Sequence, residues 1–370
     1  MSARFLTAVL ERAFNMRDGF GREIDYMRIS VIDSCNLNCY YCNPCDNNEH
    51  CHALNILSVK EVLCIVRAAT RLGIKHFRLT GGEPLLHPQL DEMILQIKKI
   101  PGVSSVSLTT NAVLLVQHAK WLKEAGIDSI NVSLDTIDAS EYERITKKPL
   151  LEEVKNGINA AIECGIRVKI NVVLTPQTDV VALTRYVAKK GTDIRFIEMM
   201  PVGEGHTNGV EPYKKVIGTL SKLYGEPCRI NTEKTKEINS GNDKRKIPDN
   251  GPAEYYIFPE LGIRVGLIQA IHGKFCDTCN RIRVTADGRL MPCLGSSVTM
   301  DLVPDSWNFA DDVEKDFAIV RALRAAIKAK PRCHNFNDNA VTYTKTTETK
   351  TTEIEAAEVN AARNMSRIGG

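Results

Sequence analysis

The feature that most constrains the fold is a repeated alternation of strand-like and helix-like segments through the first two hundred residues. The predicted strands are 27–32, 75–80, 103–109, 129–134, 167–174 and 193–198. The predicted helices between them are 58–72, 88–99, 112–124, 151–163 and 179–189. Strands that alternate with helices form right-handed βαβ units and a parallel sheet. The pattern therefore predicts an α/β fold whose six parallel strands form a barrel or partial barrel.

Glycines support this assignment. Gly73, Gly126 and Gly165 each follow a predicted helix, where a left-handed residue commonly ends it. Beyond about residue 200 the alternation stops. Residues 231–251 are polar, residues 342–358 are rich in Thr and Glu, and two short strands (255–258 and 263–267) and a helix (321–330) lie between them. We predict two domains, a partial barrel over 1–200 and a C-terminal module over 201–370.

Composition restricts the function classes. With 43% hydrophobic residues and no apolar run as long as a membrane span, the chain is predicted to be soluble. A net charge of +3 is too small to indicate a nucleic-acid or membrane partner. Twelve cysteines without a secretory signal favour a reducing compartment, and we predict a cytoplasmic protein. Arg4, Arg12 and Arg17 leave a mitochondrial targeting sequence open, although Glu11 and Asp18 argue against one.

Cys35, Cys39 and Cys42 form a C-x3-C-x2-C triplet directly after the first predicted strand. Three thiolates can hold three irons of a cubane cluster and leave the fourth iron free to bind a small molecule. Four cysteines normally complete such a cluster, and full ligation suits electron transfer. Zinc loops prefer paired C-x2-C ligands and a complete tetrahedron. The triplet therefore favours a catalytic iron–sulfur cluster over a zinc site.

A second set of three thiols lies far along the chain, at Cys276, Cys279 and Cys293. Its C-x2-C spacing leaves two interpretations open. One is a second three-cysteine cluster whose open iron could bind a substrate atom. The other is a zinc site completed by His272 or Cys228.

Further motifs follow the predicted strands, at 80–84, 109–111, 133–135 and 198–201. Because the carboxyl ends of parallel strands meet at one edge, we expect these motifs to surround one site. Gly81 and Gly82 would let the backbone approach a ligand closely.

Five cations lie on or beside strands expected to line this site. Arg281 and Arg283 are spaced to project from one side of a strand just beyond the second cysteine pair. Together with Arg28, Arg78 and Lys169 they could neutralise an anionic substrate such as a triphosphate.

These motifs together resemble the GTP 3′,8-cyclases, radical S-adenosylmethionine (SAM) enzymes that open molybdenum-cofactor biosynthesis. The resemblance is carried by residues 28–35, the C-x3-C-x2-C loop, 78–84, 131–135, 195–198, 275–283, 285–290, Cys293 and 366–370. The sequence differs from the family pattern in the loop after Cys42 and at Ala112, where the family usually has glycine.

The resemblance implies an incomplete (β/α)6 TIM-type barrel with a C-terminal second iron–sulfur cluster module. It implies two 4Fe–4S clusters and SAM as cofactors. The activity would be of lyase type, converting GTP to 3′,8-cyclo-7,8-dihydro-GTP through a 5′-deoxyadenosyl radical that abstracts the ribose 3′ hydrogen. Expected partners are GTP, a reductant such as flavodoxin or ferredoxin, and a downstream cyclic pyranopterin monophosphate synthase. No membrane or nucleic acid is expected, and a homodimer is allowed.

The resemblance also assigns residues. Cluster ligands would be Cys35, Cys39 and Cys42 for the first cluster, and Cys276, Cys279 and Cys293 for the second. SAM would contact Tyr41, Gly82, Ser133 and Met200. GTP would contact Arg28, Arg78, Thr109, Lys169, Arg281 and Arg283. Catalytic support would come from Arg281, Arg283 and the terminal Gly369 and Gly370, which enter the active site.

Two alternatives remain at this stage. Another two-cluster radical SAM enzyme, such as a peptide-modifying maturase, would share the barrel and both cysteine sets. It would not need five phosphate-directed cations or a double-glycine terminus. A non-catalytic iron–sulfur or zinc protein in electron transfer or regulation would not cleave SAM. Cys45, Cys51, Cys228 and Cys333 follow no pattern that assigns them a role.

Overall fold

The computed structural model describes residues 16–42, 55–202, 209–230, 251–296, 298–302, 312–334 and 336. The segment 342–358 and nearly all of the predicted polar segment 231–251 lie outside these residues. No helix of the described part is long and apolar enough to cross a membrane.

Strands and helices alternate through the first half as the sequence predicts. The strands are β1 Tyr26–Ser30, β2 His76–Thr80, β3 Ser105–Thr110, β4 Ser129–Ser133, β5 Val168–Val173, β6 Asp193–Ile197, β7 Cys228–Ile230, β8 Glu254–Ile257, β9 Arg264–Ile268, β10 Arg281–Val284, β11 Arg289–Met291 and β12 Met300–Asp301. The helices are α1 Val59–Arg71, α2 Leu90–Lys98, α3 Leu115–Glu124, α4 Ala139–Thr146, α5 Leu151–Glu163, α6 Val180–Lys189, α7 Gly218–Tyr224 and α8 Asp312–Lys328.

All twelve described strands belong to one sheet, in the order β12-β11-β10-β1-β2-β3-β4-β5-β6-β9-β8-β7. Neighbours from β1 to β6 pair in parallel, and β10 and β9 add a parallel strand at either side. The outer strands pair antiparallel. The second half of the chain therefore extends the sheet of the first half at both edges.

The sheet is strongly curved. Arg281 on β10 and Arg195 on β6 are six strands apart in the sheet order. In a flat sheet with strands about 4.8 Å apart, they would be separated by about 29 Å. Instead both line one cavity, and Arg195 adds to the effect of burial in lowering the pKa of Arg281. The parallel strands therefore wrap around a shared interior, as a partial barrel does.

The two faces of the sheet differ in chemistry. On β2, Phe77 and Leu79 are fully buried in the core, whereas His76, Arg78 and Thr80 line the interior cavity. Burying a large apolar side chain contributes roughly 1.5–3 kcal/mol, so the outward-facing apolar rows hold the helices onto the sheet. Parallel strands covered on both faces normally read as continuous apolar runs. The alternation of apolar and polar residues along β2 therefore indicates that the concave face lines a polar site.

Helix ends follow the expected chemistry at most positions. Gly73, Gly126 and Gly165 have φ values of 89°, 86° and 67°, which confirms the predicted left-handed positions. Helix α4 was not predicted, although Asp138 caps it by accepting a hydrogen bond from the Glu141 amide at 2.8 Å. The prediction that the last helix begins at residue 321 is wrong, because α8 begins at residue 312. Its first turns are rich in charged residues, which obscured the apolar positions.

Glycine at position 157 lets α5 pack directly against the start of α3. A Cβ there would lie 2.3 Å from the Ala112 carbonyl oxygen and 3.0 Å from the Leu115 Cβ. We expect Gly157→Ala to lower the free energy of unfolding by about 1–3 kcal/mol, because backbone must move to admit the methyl group. Gly218→Ala, also helical but with open space, should be neutral or raise stability by up to about 1 kcal/mol. Urea unfolding of the apo-protein measures both. Equal effects of the two substitutions would contradict the packing argument.

Candidate active site

The concave face of the sheet encloses a cavity of ≈ 670 Å³. Sixteen residues predicted for the site lie in the described part of the chain, and every one of them lines this cavity. They are Arg28, Cys35, Cys39, Tyr41, Cys42, Arg78, Gly82, Thr109, Ser133, Lys169, Met200, Cys276, Cys279, Arg281, Arg283 and Cys293. Gly369 and Gly370 lie outside the described residues. The structure thus brings together motifs that are more than 250 residues apart in sequence.

Backbone contacts hold the first cysteine loop against the turn that follows β2. The Gly82 amide donates to the Ile32 carbonyl at 2.7 Å, and the Glu83 amide donates to the Ser34 carbonyl at 2.8 Å. A Cβ on Gly82 would lie 2.1 Å from the Ser34 carbonyl oxygen. Only glycine fits here, so this position fixes where the loop that bears Cys35 can lie.

Glu83 joins three loops beneath the first cysteine set. Its carboxylate accepts hydrogen bonds from the Thr110 hydroxyl and the Asn111 amide, both at 2.7 Å. The Asn111 side chain in turn donates to Asn36 Oδ1 at 2.7 Å, and its Nδ2 lies 3.8 Å from the Cys35 sulfur. Burial raises the pKa of Glu83 from 4.5 to about 7, against the opposing effect of these hydrogen bonds.

A second tether runs to the other side of the loop. The Tyr41 hydroxyl donates to Asp135 Oδ2 at 2.5 Å, and the Val173 amide donates to Asp135 Oδ1 at 2.7 Å. Burial raises the pKa of Asp135 to about 6. The cysteine loop is therefore fixed to the ends of β4 and β5 as well as to β2.

The three thiols of the first set lie close to one another in buried surroundings. Burial raises the pKa of Cys35 to about 11. Burial also raises the pKa of Cys39, and the nearby Cys42, Asp135 and Cys35 raise it further. Metal binding requires thiolates, so these groups need the positive charge of a metal to ionise.

The second cysteine set has a different electrostatic environment. Burial raises the pKa of Cys293, and burial alone would raise that of Cys279. Lys330 and Arg281 lie close enough to bring the pKa of Cys279 below its usual value. The carbonyl of Cys276 accepts a hydrogen bond from Arg22 at 2.7 Å, which fixes the third ligand position.

Neither residue considered as a fourth zinc ligand is positioned for that role. Among the described residues, neither His272 nor Cys228 lines the cavity that contains the second cysteine set, and Cys228 is exposed on β7. In the described ranges, no three His, Cys, Asp or Glu side chains converge on a point that one metal ion could occupy. Thiolates of a cubane bind different irons and need not converge, so both cysteine sets fit three-cysteine clusters better than a single zinc ion.

The cations form a continuous patch on the concave face. Arg283, Arg28 and Arg78 occupy paired positions on three neighbouring strands, β10, β1 and β2. Burial, followed by the proximity of Arg283 and Arg78, lowers the pKa of Arg28 well below its usual range. Burial and Arg281 lower the pKa of Arg283 to about 10. Like charges held together out of water are costly, and a polyanionic ligand would relieve that cost.

Sequence reasoning missed several groups of the same wall. Arg167, Arg195, His76 and Lys330 also line the cavity. Asn131 and Asn171 line it too, and their Oδ1 atoms are buried without a hydrogen-bond partner among the described residues. Buried acceptors are normally satisfied, so these two are suited to a donor on a ligand. The alternation of polar and apolar residues along each strand was the signal that could have identified this set.

The departure at Ala112 is visible in the backbone. Ala112 has a φ of 66°, in the left-handed region that glycine adopts without strain. A non-glycine residue there is uncommon. It directly follows Asn111, so the backbone strain lies beside the Glu83 network.

A parallel α/β sheet with a C-x3-C-x2-C loop at the carboxyl end of its first strand defines the radical SAM class. In agreement, a family model described as "Radical SAM superfamily" matches residues 29–182. A second model, "Molybdenum Cofactor Synthesis C", matches residues 192–336. The chain belongs to the GTP 3′,8-cyclase family.

That membership rests on close relatives over nearly their whole length. The GTP 3′,8-cyclase of Clostridium perfringens (strain SM101 / Type A) is 36% identical over 324 residues, which cover 87% of this chain and 95% of that protein. The GTP 3′,8-cyclase of Petrotoga mobilis is 35% identical over 331 residues, covering 88% of this chain and 96% of the relative.

Solved structures share the fold. Streptococcus suis SuiB bound to S-adenosylmethionine superposes with a TM-score of 0.55 at 15% identity, over 86% of this chain and 69% of SuiB. SuiB bound to its precursor peptide SuiA gives 0.54 at 14% identity, over 87% of this chain and 70% of that one. At this identity the likeness concerns the fold, and it confirms the predicted α/β class.

A side chain at position 82 should displace the first cysteine loop, because its Cβ would collide with the Ser34 carbonyl oxygen. We expect Gly82→Ala to lower the iron content of the reconstituted protein by about half, because one of two clusters loses its ligand geometry. Iron and sulfide assays measure this, with Gly218→Ala as the control that keeps the wild-type content. Full iron content in Gly82→Ala would contradict the fixed-loop argument.

The raised pKa of Glu83 predicts a pH-dependent stability. The folded chain binds this proton more tightly than the unfolded chain, so the stabilisation is complete below about pH 4.5 and is lost as the pH rises through about 7. Glu83→Gln cannot titrate. In urea unfolding of the reduced apo-protein, we expect the stability advantage of wild type over this variant to shrink between about pH 5 and about pH 8.

Glu124→Gln, at an exposed position on α3, serves as the control and should show no such change. An advantage of wild type over Glu83→Gln that stays constant across this pH interval would contradict the assignment.

Proposed function

We propose that this protein is a GTP 3′,8-cyclase that converts GTP to 3′,8-cyclo-7,8-dihydro-GTP in molybdenum cofactor biosynthesis. The observation that carries the proposal is one cavity lined by two separate cysteine triplets and by a patch of buried cations. Relatives of that name match this chain over 95% and 96% of their own length.

The cofactors of such an enzyme are two 4Fe–4S clusters and SAM. In our assignment Cys35, Cys39 and Cys42 hold the first cluster, and Cys276, Cys279 and Cys293 hold the second. When bound, the first cluster and SAM supply the one-electron chemistry that removes the ribose 3′ hydrogen of GTP.

The chain's own residues then have distinct tasks. The edge formed by Gly82 lies against the first cysteine loop and can offer backbone groups to the amino-acid part of SAM. Ser133, at the end of β4, and Met200, after the end of β6, line the cavity farther around the sheet, and we assign them to SAM together with Tyr41. The hydrogen bond from Tyr41 to Asp135 holds this side of the pocket in place.

The cation patch is assigned to the triphosphate. Arg28, Arg78, Arg281 and Arg283 offer guanidinium groups from adjacent strands, and this geometry suits several phosphate oxygens at once. The Arg78 Nε donates to the Tyr26 hydroxyl at 2.5 Å, and its NH1 lies 3.4 Å from Thr109 Oγ1. These contacts hold the guanidinium before the substrate arrives. Lys169 lines the same wall from β5.

Arg281 and Arg283 are also assigned a catalytic part, since they continue directly from the Cys276–Cys279 segment that would hold the second cluster. Gly369 and Gly370 are assigned to the same step by the family pattern of a double-glycine terminus that enters the active site.

A cavity of ≈ 670 Å³ is within the usual range of roughly 300–1,000 Å³ for small-molecule sites.

We further propose a cytoplasmic location, because many free thiols, two of them exposed, are typical of a reducing compartment. A flavodoxin or ferredoxin would supply the electron, and a cyclic pyranopterin monophosphate synthase would consume the product. A homodimer is compatible with this function, and neither a membrane nor a nucleic acid is required.

The test is an anaerobic assay of the reconstituted protein with dithionite, SAM and GTP. We expect 5′-deoxyadenosine and the cyclised nucleotide in near-equal amounts by mass spectrometry. A matched reaction with a peptide in place of GTP should give neither product above background.

Other outcomes separate the alternatives. Deoxyadenosine that depends on peptide and not on GTP would favour a peptide-modifying maturase. No cleavage of SAM in a sample with full iron content would favour an electron-transfer or regulatory protein and would overturn the proposal.

A further inference from the structure

One buried charge of the cavity wall has no role in the function described above. Lys330 follows α8, has a relative exposure of 3%, and lies beside the second cysteine set. Its ammonium donates to the Arg281 carbonyl and to the Pro292 carbonyl, both at 2.8 Å. Lys330 also lies close enough to Cys279 to lower the pKa of that thiol.

These contacts join two parts of the chain that carry cluster ligands. Arg281 is two residues beyond Cys279, and Pro292 directly precedes Cys293. Lys330 therefore ties the start of β10 to the segment after β11 and sets how far apart the two sulfurs lie.

The charge itself also needs a partner. A buried ammonium without a counter-ion is strongly destabilising. In the part of the chain that the structure describes, Lys330 has no carboxylate within ion-pair distance. Arg281 and Arg283 nearby have the same sign. The groups beside Lys330 that become anionic when a cluster binds are the thiols of Cys279 and Cys293.

We propose that Lys330 is a positioning residue of the second cluster, holding Cys279 and Cys293 in register and offsetting the negative charge of the cluster. This inference rests on the assignment of that cluster to Cys276, Cys279 and Cys293. A positive charge beside a cluster favours its reduced form, because reduction adds an electron to the site.

The experiment isolates the second cluster in the full-length chain. Cys35, Cys39 and Cys42 are replaced by alanine, and the protein is reconstituted anaerobically. Iron and sulfide content reports cluster assembly, and a redox titration followed by electron paramagnetic resonance gives the midpoint potential. The variants are Lys330→Gln, Lys330→Met and Lys330→Arg. Lys328→Met serves as the control, since it removes the same charge from an exposed position two residues earlier.

Lys330→Gln keeps two donors for the two carbonyls and loses the charge. We expect it to retain the cluster and to lower the reduction equilibrium constant at least tenfold, a shift of about 59 mV to lower potential for a one-electron couple. Lys330→Met should also shift the midpoint potential to a lower value, and its iron content should be lower. Lys330→Arg and Lys328→Met should both keep an iron content and a midpoint potential close to those of the protein with Lys330 intact.

A Lys330→Gln protein with full iron and an unchanged potential would overturn the proposal. So would loss of the cluster in Lys330→Arg together with a lowered melting temperature, since that result would indicate a purely structural role. A lowered potential in Lys330→Gln and a lower iron content in Lys330→Met at normal thermal stability, with Lys330→Arg close to wild type in both, would support the proposal. No iron in the triple-alanine background with Lys330 intact would instead overturn the second-cluster assignment, and this inference with it.

Discussion

Positive charge buried on the concave face of the sheet is the constraint on which the rest of the site depends. Arg283, Arg28 and Arg78 lie side by side on neighbouring strands, where Arg283 is buried and the other two are partly buried. Such an arrangement is unfavourable in the empty protein, and the apolar rows on the opposite face supply the stability that maintains it. The sheet's curvature then brings strands that are distant in the sheet order around one shared cavity.

The two cysteine sets are held by different means, and the difference follows from where they lie. The first set is on a loop that depends on backbone contact with Gly82 and on the carboxyl groups of Glu83 and Asp135. The second set continues into β10 and is surrounded by cations, including Lys330. Buried carboxyl groups thus support the loop of the first cysteine set, and cations lie beside the second.

Much of this could be predicted from the sequence because the signals were local. The βα alternation gave the six parallel strands, and motif spacing gave both cysteine sets. What could not be predicted depends on distant contacts. The pairing of β10 with β1 and of β9 with β6 joins the halves of the chain. Lys330 reaches Arg281 and Pro292 through tertiary structure alone. The long helix α8 was recognised only in part, because charged residues interrupt its apolar pattern.

The central claim is that the cation patch recognises a triphosphate. Isothermal titration of the cluster-loaded, unreduced protein with GTP, GDP, GMP and guanosine tests it most directly. The account predicts that affinity falls with each phosphate removed and that GTP binding weakens as salt concentration rises, since charge pairing is screened. Guanosine binding as tightly as GTP, with no dependence on salt, would contradict it.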